Sequence, residues 1–295
     1  MLHLLLTALL FAESSKNVDS SPLREAEKAS PDDWISRKTS YMTSNPETLH
    51  ELMSENNATV EGDMVLPSDG NAVESIWPTL EIPYEIRPEL ESQKDAILSA
   101  MAMLSRPTCV SFHKRTSETD YLLFEVSTGC GSYVGFIGGE QPVFIGPECA
   151  VGSIAHEILH ALGLHHEHTR ADRKTYIAIL PKNIMKGMEG NFDVQDRQTF
   201  NLSYDLSSIM HYGSGVFSAN GLPTILAKKR VKDMGQRVKL TNTDIMKMSM
   251  NRWGMKTGLM VSTAEGMILL TNKKGSHIFF FCLSIRLPAA PERRH

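Results

Sequence analysis

Apolar and polar residues first fall into a regular pattern at Glu81–Ile86, where Ile82, Tyr84 and Ile86 alternate with polar neighbours and predict a strand. Pro88 then opens a helical stretch. Along it Leu90, Ile97, Met101 and Leu104 recur at helical spacing, which gives the helix one core-facing side. Further strands are expected at Val110–Lys114, Tyr121–Val126, Gly131–Ile137 and Pro142–Ile145, separated by Gly, Ser, Thr and Pro. A second helix carries His156 and His160 and stops at Gly163, since glycine takes a left-handed backbone conformation without the cost of a Cβ. Tyr176–Ile179 reads as a short strand, and much of 181–240 as irregular loop. Thr241-Asn-Thr-Asp244 has the wording of a capping box, after which Ile245 and Met248 begin the inner face of a closing helix. No internal repeat interrupts this order.

Outside that span the pattern is poorer. Residues 13 to about 70 are polar and charged, with some helix expected around Pro46–Glu55, and cannot support a core of their own. Met1–Ala12 is apolar and ends on small residues, as a signal peptide does. Residues 255–295 contain a short apolar run, Ile278–Ile285, too short to span a bilayer, and then a basic end. The whole chain of 295 residues can bury a substantial core, and its formal charge of −4 leaves no nucleic-acid footprint. Four cysteines and two glycosylation sequons, Asn57-Ala-Thr59 and Asn201-Leu-Ser203, fit a secreted, extracellular protein.

The chemistry concentrates in residues 156–173. His156 and His160 stand four apart, so on a helix their imidazoles face the same way and can grip one zinc ion. Glu157 follows the first of them, within reach of a water on that metal. Past the turn at Gly163, His166 can swing back as a third ligand. Three protein ligands leave a position for water, which is the arrangement of a catalytic zinc site; a structural site is closed by four. This five-position pattern should arise by chance in roughly 1 in 10,000 chains of this length, so an ordinary buried helix with three histidines is disfavoured.

The run from His156 to Arg173, with Glu167 directly after the third histidine and Arg170 and Asp172-Arg173 beyond, resembles the astacin metalloproteases, a branch of the metzincins. Ser208-Ile209-Met210-His211-Tyr212 is similar to that family's Met-turn. The resemblance covers about residues 60–253. It implies an α+β fold: a two-lobed, metzincin-like catalytic domain, with a twisted mixed sheet and long helices in the N-terminal lobe. The C-terminal lobe would be mostly irregular, with a closing helix. The resulting organisation is a signal peptide (1–14), a propeptide (15–70), a zinc metalloprotease domain (71–253) and a divergent tail (254–295) with no functional reading.

By the same resemblance, one zinc ion per chain is held by His156, His160, His166 and, switchably, Tyr212, above an apolar floor formed by Met210. Glu157 is the general base and Tyr212 a donor to the oxyanion. The edge strand of the sheet takes the protein substrate as an extended peptide. Val60-Glu61-Gly62-Asp63 is similar to the family's latency motif, with Asp63 ligating the zinc and Val60 standing where the family more often has a larger apolar residue. Cleavage near Gly70-Asn71 by an activating protease, at a junction with no arginine, would release a new N-terminus that pairs with Glu167. The family pairs the positions of Cys130 and Cys149; Cys109 lacks its usual partner near residue 254, and Cys282 remains for it. Glu61-Gly-Asp-Met and Asn71-Ala72 look like fish hatching-type enzymes, although the extra cysteine pair of that branch is absent from 71–80.

The function so implied is a secreted, monomeric zinc endopeptidase made as a latent precursor and acting on extracellular or egg-envelope-type proteins. It has no membrane span. A second reading is a secreted zinc-binding interaction protein without catalysis. That reading predicts damage to the ligands, to Glu157 or to Tyr212, and none is damaged.

Overall fold

A computed structural model describes residues 60–65, 76–197, 199–253, 259–262, 268–271 and 277–280. The expected signal segment, the helix around Pro46–Glu55, most of the expected propeptide, the Gly70-Asn71 junction and Cys282 lie outside the described residues.

The main sheet has strands β1 (Val60–Glu61), β2 (Met64–Val65), β3 (Glu81–Ile86), β4 (Ser111–Lys114), β5 (Tyr121–Val126), β6 (Gly131–Tyr133) and β7 (Glu140–Ile145). Their order across the sheet is β1-β2-β6-β7-β5-β3-β4. The β4–β3, β3–β5 and β5–β7 pairs are parallel, and β6 runs antiparallel to β7. Tyr121-Leu-Leu-Phe124 is buried throughout, as expected of a strand with neighbours on both sides and cover on both faces.

The helical stretch after Pro88 divides into a 3₁₀ segment, Pro88–Gln93, and helix α1, Lys94–Ser105, with non-helical φ/ψ at Leu90. The core face read from the sequence is the buried one: Leu90, Ile97, Met101 and Leu104 are all under 5% exposed. Helix α2 spans Val151–Ala161 and packs beside α1. Ile154, Ile158 and Leu159 of α2 join Leu122, Phe124, Val143 and Ile145 of the sheet in one hydrophobic cluster. Gly152 holds α2 against a later loop. A Cβ there would lie 1.7 Å from the Arg237 carbonyl oxygen, so backbone meets backbone at that point.

A second hydrophobic cluster lies later in the chain, built from Ile177, Ile184, Phe192, Tyr204, Tyr212, Val216, Phe217 and Ile225. It contains a strand pair that sequence reading caught only in half. β8 (Ile177–Ile179) pairs antiparallel with β9 (Ile225–Ala227), which falls inside the stretch expected to be loop. Helix α3 (Asn242–Trp253) follows, and its Met248 packs into the first cluster. The capping box is present, since Asp244 N donates to Thr241 Oγ1 at 3.1 Å and Thr241 N to Asp244 Oδ2 at 2.9 Å. In the tail β10 (Leu259–Ser262), β11 (Ile268–Thr271) and β12 (His277–Phe280) form a separate antiparallel meander that sequence reading did not anticipate.

Two boundaries differ from expectation for a physical reason. The strand expected over Gly131–Ile137 ends at Tyr133. Gly135 takes φ +76°, and its N–H turns to the carbonyl of His160 at 2.9 Å instead of continuing the ladder. The sheet edge is also not open. The hairpin of β1 and β2 covers β6, with β2 parallel to it and Met64 and Val65 opposite Ser132 and Tyr133.

Cys130 and Cys149 form a disulfide across 19 positions, enclosing β6 and β7 and ending just before α2. Cys109 is also disulfide-bonded, and its expected pairing with Cys282 lies outside the described residues. Replacing both Cys130 and Cys149 by Ala should cost about 3 kcal/mol by loop-closure entropy. Urea unfolding measures this, and an unchanged midpoint would show that the loop is no restraint.

Candidate metal centre

Helix α2 places His156 and His160 on one face and one turn apart. After α2 the chain reverses at Gly163, whose φ is +95°. The return brings His166 to the same point. The three Nε2 atoms converge, with 3.0 Å between His156 and His160 and 3.2 Å from His166 to each of them. All three rings are at most 2% exposed.

The protonation of two of these rings follows from their far nitrogens. His156 Nδ1 lies 2.8 Å from the carbonyl of Ile209, and His160 Nδ1 lies 2.7 Å from that of Leu164. A carbonyl only accepts, so each Nδ1 carries a proton, and Nε2 is the nitrogen each ring can offer to a metal. Burial, and next the His156 ring beside it, pushes the His160 imidazole down to about 4, so it is neutral at physiological pH.

A fourth donor enters from the β1–β2 turn. Asp63 Oδ2 lies 3.0 Å from His156 Nε2, and Oδ1 lies 2.9 Å from His166 Nε2 and 3.6 Å from His160 Nε2. Burial alone would push the Asp63 carboxyl up. Positive charge on His166 and His156 would outweigh it and hold the group well below the usual carboxylate range, so the pocket favours a cation beside Asp63. Although buried and close to the rings, Oδ1 accepts no hydrogen bond. Converging lone pairs and an anion repel one another unless a cation sits among them, and three imidazoles with one carboxylate suit zinc. The donor set fits the metal.

Only a glycine lets that turn come so near. Gly62 has φ +66°, and a Cβ on it would stand 2.2 Å from the Tyr212 hydroxyl. Backbone pairing fixes the other side, where Ser132 N donates to the Asp63 carbonyl at 3.0 Å.

Beneath the histidines lies Ser208–Tyr212. Asp244 of α3 accepts hydrogen bonds from Ser208 Oγ and from the Ile209 N–H, and Met210 N donates to Ser208 Oγ. The Met210 carbonyl in turn receives the Glu167 N–H at 2.9 Å. Tyr212 is fully buried, its ring 4.5 Å from that of His166 and stacked on His168 at 3.9 Å. Glu157 lies on α2 next to His156 and is 2% exposed.

The family profile described as Astacin (Peptidase family M12A) matches residues 70–252, more than half of the chain. This chain belongs to the astacin family. Among the relatives, blastula protease 10 of Paracentrotus lividus is 43% identical over 57% of this chain, a match that spans 31% of the relative's length. Low choriolytic enzyme of the fish Oryzias latipes is 32% identical over 82% of this chain and 94% of its own. The solved structure of high choriolytic enzyme 1 from the same fish, described as a hatching enzyme zinc-protease, superposes with a TM-score of 0.57. It is 34% identical and covers 63% of this chain and 96% of that one.

The structure brings His156, His160, His166 and Asp63 to one point and sets the Tyr212 ring against that of His166. It also adds partners that sequence reading passed over. His168, which stacks on Tyr212, donates through Nε2 to the Asn191 carbonyl at 2.9 Å. Burial, followed by His166, pushes its imidazole well below the ordinary range, which keeps it uncharged. His211 meets the Tyr204 hydroxyl at 2.8 Å, and Asp244 is a clasp on the Met-turn as well as a helix cap. The His168 ring stood in the sequence directly after Glu167, a visible signal that carried no reading.

Proposed function

We propose that this chain is the latent precursor of a secreted zinc endopeptidase, with His156, His160 and His166 as its permanent zinc ligands and Asp63 as the inhibitory fourth. The convergence of the three Nε2 atoms with Asp63 carries this reading. Zinc bound there would lower the pKa of a water from about 16 to about 7 and polarise the scissile carbonyl.

The protein's own residues do the rest. Glu157 takes the proton of the attacking water and returns it to the leaving amine. Tyr212 donates its hydroxyl proton in a hydrogen bond to the tetrahedral oxyanion, a contact typically worth roughly 3 to 4 kcal/mol. β6 pairs with the substrate backbone once the β1–β2 hairpin has gone, because β6 is the strand on which the hairpin lies. Secretion is supported by the apolar opening, the Cys130–Cys149 disulfide and the exposed Asn201 of its sequon. Recovery of the protein inside cells alone would count against it. By analogy with the choriolytic relatives, egg-envelope-type proteins are the substrate class proposed.

Metal removal tests the reading. Processed protein should digest casein, lose that activity in a zinc chelator, and recover it with one equivalent of zinc. Zinc content should fall from one per chain to near zero in His160→Ala. Full activity in the chelated, metal-free protein would overturn the proposal.

A further inference from the structure

Strand β9 ends at Ala227, and the chain continues as Lys228-Lys229-Arg230-Val231-Lys232. Every residue of this run except Val231 is cationic and exposed. Consecutive Cα atoms are about 3.8 Å apart, so neighbouring charges here fall within the Debye length of about 8 Å at physiological salt. The formal charge of the whole chain is −4, which makes the run a local excess against the general balance.

The fold enlarges the cluster and ties it down. Lys228 N donates to the Tyr176 carbonyl at 2.8 Å, carrying the β8–β9 pairing one step further. The Lys228 ammonium donates to the Lys174 carbonyl, which sets Lys174, another exposed cation, beside the run. At the far end Asp233 accepts from Ser207 Oγ at 2.6 Å. Gly235 then passes so near Gly213 that a Cβ on it would stand 2.3 Å from the Gly213 Cα. Both ends of the loop are therefore held by the fold.

Nothing nearby neutralises these charges. The acids closest in sequence are engaged elsewhere, Asp233 with Ser207 and Asp172 with Arg170. Among the described residues, none of Lys174, Lys228, Lys229, Arg230 and Lys232 forms an ion pair. Like charges at such spacing repel. A polyanion laid across them would remove that repulsion and release its own condensed counterions. Arg230 adds a planar fork that can donate two parallel hydrogen bonds to one oxyanion. Val231 is partly buried, so the run presents no exposed apolar side chain for insertion into a bilayer.

We propose that the loop 228–232, together with Lys174, is a docking surface for a sulfated glycan, which would hold the protein on an extracellular matrix. The choice of a glycan over a nucleic acid rests on the secretion reading above. The charge pattern itself is independent of catalysis.

The experiment measures binding of the purified chain to immobilised heparin across a salt series. Vesicles of phosphatidylcholine with phosphatidylserine, and a DNA duplex, are run in parallel. Wild type should bind heparin, with affinity falling steeply as salt rises. Lys229→Glu/Arg230→Glu/Lys232→Glu should weaken binding at least tenfold. Lys94→Glu/Arg106→Glu/Lys114→Glu makes the same change of net charge at exposed positions of α1, its C-cap and β4, and should weaken it less than threefold. If the reversed loop prevents folding, Lys229→Ala/Arg230→Ala/Lys232→Ala takes its place, with at least a fivefold loss expected. Equal losses in the loop and control variants would overturn the proposal, because the field of the whole protein would then be the cause. Wild type that ignores heparin, or that prefers the vesicles or the duplex to it, would overturn it too. Hydrolysis of a small peptide by the processed forms is followed alongside and should agree within about twofold. Protein that binds heparin but never cuts would sink the protease reading alone, and protein that cuts but does not bind would sink this one.

Discussion

Glu157→Ala should leave zinc bound at one per chain and lower kcat by about 10²- to 10⁴-fold, the usual contribution of a positioned acid–base group. The separation of the two readouts follows from the geometry. The ligand nitrogens belong to His156, His160 and His166, whose orientation is set by the carbonyls of Ile209 and Leu164 and by the turn at Gly163. None of these contacts passes through the Glu157 carboxylate. Replacing it removes a proton acceptor and leaves the cage standing. The loss should appear in kcat more than in KM, because the base acts in the transition state. Metal analysis together with steady-state kinetics checks this. A Glu157→Ala enzyme cutting at the wild-type rate would remove the residue from the mechanism.

The unprocessed chain should gain protease activity in Gly62→Ala as well as in Asp63→Ala. Asp63→Ala removes the carboxylate that faces three imidazole nitrogens. Gly62→Ala leaves that carboxylate intact but puts a Cβ 2.2 Å from the Tyr212 hydroxyl, in a backbone conformation with φ +66° that alanine adopts poorly. Tyr212 cannot yield easily, because its ring is fully buried, packed against His166 and stacked on His168. The hairpin must therefore lift, and Asp63 leaves with it. Both precursors should show activity at least tenfold above that of the wild-type precursor, measured with a fluorogenic peptide before any processing. An Asp63→Ala precursor as silent as wild type would refute the latency switch. A silent Gly62→Ala precursor would show that Tyr212 gives way instead.

Residues that act through local spacing were legible in the sequence, and residues that act across distance were not. The zinc helix, its stop at Gly163 and the capping box at Thr241 each depend on neighbours within a few positions, and each stands where the spacing put it. The strands around Tyr121-Leu-Leu-Phe124 were equally plain, because burial on both faces leaves a continuous apolar run. β9 was missed because it is three residues long and its partner β8 lies far back in the chain, so it shows no period of its own. Gly131–Ile137 read as one strand because nothing local announces that the Gly135 N–H is claimed by His160. Within the site, the histidines and Glu157 were visible, and the ion pair from Lys247 to Glu167 was not. A lysine on an amphipathic helix looks the same in sequence whether it faces water or a buried carboxylate.

The size of the proposed latch sets how quickly it can be taken off. β1 and β2 hold two residues each, and β2 meets the main sheet at two positions on its edge strand. A piece so small can detach while β6 stays paired to β7 and the core beneath remains closed. Such openings have free energies well below that of global unfolding. When opening and reclosing are fast compared with cleavage, the rate of attack follows the equilibrium fraction that is open. On the proposed latency reading, the lifetime of the silent form is governed by a local fluctuation of a few residues and is insulated from the stability of the fold as a whole. Substitutions that make the core firmer would lengthen the life of the enzyme without delaying its release.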